Sequence, residues 1–347
     1  MAVKSFESFS VIVICYKRKD FLLNAVKSVL SQDYPSDKIQ IIVVKAFYDN
    51  EVDSFLRENE VDVTFSDTAY YGKSVADALA IATGDIVCLL DDDDVFYSDK
   101  LSKISQTFQT DENIGTTVNN YNIIDKNGRA IESDFHRTER ERQRMLGLRV
   151  FGPEDHDLAI MLNALRMTFN SSRICFKREI TENRLNMISK ISYMVDAIPA
   201  VLCLNDRKSI ASLPEELSGY RIHENNISLP PEGRRDMEKL IAGHAKILND
   251  ADVLSEYFAA TNLNLSRVYS FFSLTQKFKL AILRADKNEA MAVSPKLVKR
   301  LLENFGELLK YRALLITLPG SIFNLSFLPL IILSPRIARR LRLLFPV

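Results

Sequence analysis

The sequence predicts an α/β protein built on a doubly wound, mostly parallel sheet with helices on both faces, followed by a helical C-terminal region. Three observations carry this. Four short runs, at residues 9–15, 39–44, 61–65 and 85–90, read as strands, the first two as buried ones. Stretches with apolar residues at helical spacing separate them. Strands alternating with helices at these lengths form parallel sheets.

The elements follow in order. Phe9 to Cys15 is rich in β-branched residues and is the first strand. Leu22, Leu23, Val26, Val29 and Leu30 then mark a helix within 20–32, closed by Pro35. A second strand over 39–44, a helix over 49–59 and a third strand over 61–65 come next. Val75, Leu79 and Ala82 mark a helix over 74–83 that Gly84 ends, and the fourth strand runs to Leu90. A helix over 100–108 takes Ser98 or Asp99 as its cap. Strands are expected over 116–124 and 171–177, with a turn at Lys126, Asn127 and Gly128 between them. The charge run from His136 to Arg149 reads as a solvated helical face. From Gly233 to about Arg312 the pattern is helical.

The 347 residues leave room for one large domain and an appendage, or for two domains. The 45 basic and 45 acidic residues cancel, so no nucleic-acid partner is expected. Cys15, Cys88, Cys175 and Cys203 lie far apart in apolar runs and read as buried free thiols of a reducing compartment. No secretory signal opens the chain, which points to the cytoplasm.

Parallel sheets of this kind bind ligands beyond the carboxyl ends of their strands. There the fourth strand delivers Asp91, Asp92, Asp93 and Asp94 in succession. Four adjacent carboxylates repel one another and raise one another's pKa values, a cost that a divalent cation removes. Mg²⁺ typically takes one or two carboxylates together with substrate phosphates, so this run suits a metal-bridged diphosphate.

The stretch from Ala82 to Asp94 resembles glycosyltransferase family 2, in which an Ala-x-Gly precedes an apolar strand ending in Asp-x-Asp. The first strand and the helix through Ser28 to Gln32 are similar to that family's opening, and the resemblance covers about residues 8–228. It implies the GT-A fold, a nucleotide-diphospho-sugar donor (UDP- or GDP-sugar) and an inverting displacement. Asp93 and Asp91 would hold Mg²⁺ or Mn²⁺, with Asp92 and Asp94 behind them. Tyr16 would lie by the base, and Lys73, in a Gly-Lys segment, by phosphate. The family's usual acid after the second strand is replaced by Lys45, Ala46 and Phe47, leaving Asp49 as a substitute. Asp196, among apolar neighbours, matches the place of the catalytic base, with Asp206 as runner-up. Arg221 and His223, in a Tyr-Arg-x-His segment, would stabilise the leaving diphosphate.

The expected division is a transferase domain over 1–228, a helical region over 229–312 and an apolar, basic segment over 313–347. Residues 313–333 carry no charge but contain Pro319 and Pro329, with basic residues on both flanks. That favours a re-entrant or interfacial attachment to the cytoplasmic membrane face, and with it a lipid-linked acceptor. Two other readings stand beside this one. A sugar-phosphate nucleotidyltransferase would carry glycines after the first strand, where Tyr16 to Lys19 has none. A non-catalytic, membrane-attached scaffold would not need the acidic run or Asp196.

Overall fold

The computed structural model describes residues 7–16, 18–68, 70–134, 137–152, 170–224, 226 and 237–310. The chain divides into two compact units: residues 1–154, 164–190 and 194–226 form the first, and residues 155–163, 191–193 and 227–347 the second.

The first unit contains one mixed sheet. β1 (Phe9–Cys15), β2 (Ile39–Lys45), β3 (Asp62–Phe65) and β4 (Ile86–Asp91) are all parallel, in the order β3-β2-β1-β4. Between them run α1 (Leu22–Leu30), α2 (Asn50–Glu58) and α3 (Tyr71–Leu79). Phe9, Val11, Val13 and Cys15 on one face of β1 share a core with Leu22, Val26, Val52 and Leu56 of α1 and α2. Helix α3 packs on β1 and β2 outside that core, so both faces are covered. Because the chain leaves β1 toward β2 and returns on its other side as β4, the sheet has a topological switch point between β1 and β4. A crevice forms there beyond the carboxyl ends of the two strands.

Past β4 the sheet becomes mixed. β5 (Val95–Phe96) and α4 (Lys100–Phe108) lead into β6 (Ile114–Ile124), α5 (Arg137–Leu146) and β7 (Arg149–Phe151). β8 (Ile174–Lys177) lies antiparallel to both β4 and β6. Two short helices, α6 (Leu185–Ile188) and α7 (Ile198–Asn205), precede β9 (Ser209–Arg221). β9 runs parallel to β6 and antiparallel to β5 and β7.

The structure departs from the sequence reading in several places, among them the short strands β5 and β7 and a 3-10 turn over Ser171–Arg173 ahead of β8. β9, the longest strand described, was not expected: Pro214 and Gly219 interrupt its pattern, and its register against β6 shifts between Asn119 and Asn120. α3 begins at Tyr71 rather than Ser74. Asp99 stands at the N-cap of α4 but makes no side-chain capping bond. Finally, Cys88 and Cys175 face each other across the β4–β8 pair and form a disulfide, leaving Cys15 and Cys203 as the free thiols. Their 87-residue separation gave no sign of this, because only the strand pairing opposes them.

The second unit is helical where it is described: α8 (Met237–Ala259), α9 (Leu263–Arg284) and α10 (Lys287–Lys310). Asn262 caps α9 by accepting from the Leu265 N–H, and Phe258 stacks on Tyr269 in the core between α8 and α9. Among the described residues, no helix is long and apolar enough to cross a membrane. The segment over 313–347, on which the membrane expectation rested, lies outside the described residues.

Candidate donor-binding site

The acidic run sits at the switch point. Asp91 ends β4, and Asp92, Asp93 and Asp94 make the turn into β5. Gly84, two residues before the same strand, has no room for a side chain, since a Cβ there would lie 2.4 Å from the Phe9 carbonyl carbon. Its N–H donates to Ser10 Oγ at 2.8 Å, which seats β4 against β1. The glycine of the Ala-x-Gly pattern therefore has a packing reason.

Each aspartate has a different environment. Asp91 accepts from the Tyr71 hydroxyl at 2.9 Å through Oδ1, and its N–H donates to Ser172 Oγ at 3.0 Å. Burial, reinforced by the Asp93 charge, pushes its pKa up to about 7. Asp92 meets Arg18, with Nη2 at 2.5 Å from Oδ1 and Nε at 3.3 Å from Oδ2. Asp93 Oδ2 lies 2.6 Å from Arg18 Nη2 and 3.0 Å from His223 Nε2. Asp94 is buried and turned inward, accepting from the Arg221 N–H at 2.9 Å and from Asn170 Nδ2 at 3.2 Å. It braces β9 against the turn.

Arg221 is engaged behind the acidic turn. Its Nε donates to the Asp93 carbonyl at 2.6 Å, and its Nη1 to the carbonyls of Asp125 and Lys126. Buried to 1% exposure, it fixes the acidic turn from behind. His223, two residues on, is the member of that segment that reaches the acids, with its ring packed 5.0 Å from that of Phe21. Lys73 lies on α3 and pairs with Asp77 one turn later, so its ammonium is already engaged. Asp206 is held bidentately by Arg184 at 2.5 and 2.6 Å, which makes it a structural acid. Asp49 caps α2 through the Val52 N–H and pairs with Lys19. Tyr16 stands just past β1 with 39% exposure, at the mouth of the crevice.

Asp196 lies in a 3-10 turn, Val195–Ala197, ahead of α7. Burial raises its pKa to about 8, and the charge of Asp91 contributes in the same direction. The two acids thus share one electrostatic environment. The sequence reading missed Arg18 and Tyr71. Both lie within two residues of positions it selected (Tyr16 and Lys73), and charge balance against four acids was the available signal for Arg18.

A divalent cation asks for hard oxygen donors. Among the described residues, Oδ2 of Asp91 and Oδ1 of Asp93 make no hydrogen bond, while the other oxygen of each acid is engaged. Among the described residues, no group of three or more His, Cys, Asp or Glu side chains is assembled as a cage. The donor set therefore fits an ion that shares its coordination with a substrate's phosphates, as Mg²⁺ commonly does.

Residues 10–170 match the family described as Glycosyl transferase family 2. An uncharacterized glycosyltransferase of Nostoc sp. is 28% identical over 230 residues, covering 62% of this chain and 65% of that protein. An uncharacterized glycosyltransferase of Rickettsia conorii is 30% identical over 126 residues, which is 36% of this chain and 21% of that one. The matches thus span less than two thirds of these relatives' own lengths. Among solved structures, S. aureus TarS 1–349 in complex with UDP aligns at a TM-score of 0.49 with 13% identity, covering 86% of this chain and 91% of that one. The mannosyltransferase PcManGT from Pyrobaculum calidifontis, in complex with GDP-Man and Mn²⁺, aligns at 0.48 with 16% identity, covering 99% of this chain and 88% of that one.

Proposed function

Since residues 10–170 of this chain match the family described as Glycosyl transferase family 2, we propose that it is an inverting glycosyltransferase. It moves a sugar from a nucleotide-diphospho-sugar, with UDP or GDP as the carrier, to a hydroxyl or phosphate of a glycan acceptor. The observation that carries this reading is the meeting of Asp91, Asp93 and His223 at the switch point between β1 and β4, where such sheets bind nucleotides.

In this reading the base lies against Tyr16 at the end of β1. Asp91 Oδ2 and Asp93 Oδ1 are the oxygens that would hold Mg²⁺ or Mn²⁺. A divalent cation bound there would offset charge on the donor diphosphate and on the leaving group. Tyr71 orients Asp91 through its 2.9 Å bond, and Arg221 holds the turn that carries Asp93. Asp196 accepts the proton of the acceptor hydroxyl. The hydroxyl oxygen then attacks the anomeric carbon from the face opposite the nucleotide, and the C–O bond to the diphosphate breaks. His223 supports the departing diphosphate. The apolar, basic sequence over 313–347 favours an acceptor carried at a membrane, such as a lipid-linked glycan.

The test is a melting-temperature screen of the purified protein with UDP-, GDP-, CDP- and dTDP-sugars, each with Mn²⁺ and with EDTA. A ligand at one hundred times its Kd stabilises by about 2.7 kcal/mol. A shift with one nucleotide that needs the metal and disappears in Asp93→Ala is expected, and it also names the base. No shift with any donor and metal would overturn the reading in favour of a non-catalytic scaffold.

A further inference from the structure

Resting on the reading of this crevice as a donor-diphosphate site, we propose that Arg18 is the resident counter-cation of the acidic turn. Its guanidinium holds Asp92 and Asp93 until the donor arrives, opposes a divalent ion that arrives alone, and passes to the diphosphate when the donor binds.

The placement begins with β1. Cys15, the last residue of that strand, is buried, and its thiol donates to the Arg18 carbonyl at 2.6 Å. This fixes the Arg18 backbone at the carboxyl end of β1, opposite Asp91 at the end of β4. From there one nitrogen, Nη2, bridges two carboxylates, at 2.5 Å from Asp92 Oδ1 and 2.6 Å from Asp93 Oδ2. Nη1 lies 3.4 Å from His223 Nε2. The guanidinium therefore stands in the middle of the groups assigned to donor binding.

Two features separate this from an ordinary structural ion pair. First, the turn is already braced without Arg18: Arg221 holds the Asp93 carbonyl, and Asp94 holds the Arg221 N–H. Of the turn itself, the Arg18 guanidinium meets the carboxylate ends of Asp92 and Asp93, and beyond the turn it meets the His223 ring. Second, its side chain keeps 26% exposure while its partners keep 8% and 11%. It approaches from the open side of the crevice, on a stem long enough to swing. A guanidinium matches phosphate as well as carboxylate, because its planar fork can bind either bidentately.

A positive charge sharing Asp93 with an incoming cation must weaken that cation's binding. A diphosphate reverses the balance, since it offers the guanidinium new anionic partners and lets the carboxylates turn to the metal. Metal and nucleotide should therefore bind this protein together far better than either does alone, with Arg18 as the coupling residue.

Arg18→Gln tests this through binding rather than turnover. Mn²⁺ alone is titrated into wild type and variant by calorimetry, and UDP and GDP are titrated both in EDTA and with Mn²⁺. The variant is expected to bind Mn²⁺ roughly tenfold tighter and the nucleoside diphosphate roughly tenfold weaker, each the equivalent of one charge-assisted contact. Arg18→Lys, which keeps the charge, should stay close to wild type for Mn²⁺, and circular dichroism checks that both variants fold. Unchanged or weaker Mn²⁺ binding in folded Arg18→Gln overturns the proposal, as does the absence of Mn²⁺ binding in every form. Tighter Mn²⁺ with unaltered nucleotide binding overturns the passage to the diphosphate. Failure of the donor-site reading looks different: wild type with Mn²⁺ then binds no nucleotide, while the Mn²⁺ comparison still gives its answer.

Discussion

At the scale of single residues, the site is defined by how differently four adjacent aspartates are used. Asp94 and Arg221 form the back of the turn, Asp92 faces Arg18, and Asp91 and Asp93 each have one oxygen without a hydrogen bond among the described residues. Asp91 and Asp196 hold their protons unusually well, with pKa values near 7 and 8. This bears on both catalysis and stability. If Asp196 is the base, kcat/KM of the free enzyme should rise with pH along a limb centred near 8, moving lower when a cation offsets Asp91. Asp196→Asn should lower kcat by about 10²–10⁴-fold and remove that limb. A pH profile that stays flat from 6 to 9 in wild type would exclude Asp196 as the base. For stability the sign is opposite. The unfolded chain releases these protons near pH 4, whereas the folded one keeps them to pH 7 or 8, so the folded state binds more protons throughout that window. Stability contributed by the neutral acids is complete at low pH and falls as pH rises through the window. Asp196→Asn, which cannot ionise, should flatten the fall, and melting curves at pH 5, 7 and 9 would reveal it.

At the scale of elements, the sequence showed the parallel half almost to the residue, because β1, β2 and β4 are buried on both faces and so read as unbroken apolar runs. The mixed half was harder to see. β9 passes through Pro214 and Gly219 and changes register against β6, so no single period runs along it. Asp91, Asp93 and Asp196 were marked out as candidates because carboxylates beside apolar runs demand an explanation. Arg18 and Tyr71 were not, because their meaning depends on which strand ends lie together. The burial of the Arg221 guanidinium behind the turn could not be inferred from a neighbouring histidine. Gly84 shows how an element boundary serves the site. Gly84→Ala would place a Cβ against β1 backbone rather than against a side chain that can move. It should cost at least the 1–3 kcal/mol typical of overpacking and loosen β4 where it aligns with β1. Urea unfolding at matched conditions measures this; a loss under 0.5 kcal/mol would show that the two strands separate easily.

At the scale of the molecule, one covalent link joins the two halves of the sheet. β4 closes the parallel half, β8 opens the mixed half, and Cys88–Cys175 ties them together. Both ends of the link lead to the site: Cys88 is three residues before Asp91, and Cys175 three after Ser172, whose hydroxyl accepts from the Asp91 N–H. The strand pairing alone would hold these residues in register, so the link acts mainly on the unfolded chain by closing a long loop. Of the four cysteines, only Cys15 and Cys203 should therefore react when the unreduced protein is denatured and titrated with a thiol reagent. Complete reduction should release two more and lower stability by about 2–4 kcal/mol. Because β4 and β8 remain paired, the donor-induced melting shift should persist after reduction, starting from a lower baseline. Four reactive thiols before reduction would show that the strands are joined by hydrogen bonds alone. A donor shift that vanished on reduction would show that the link also sets the geometry of Asp91, and not merely the stability of the sheet that carries it.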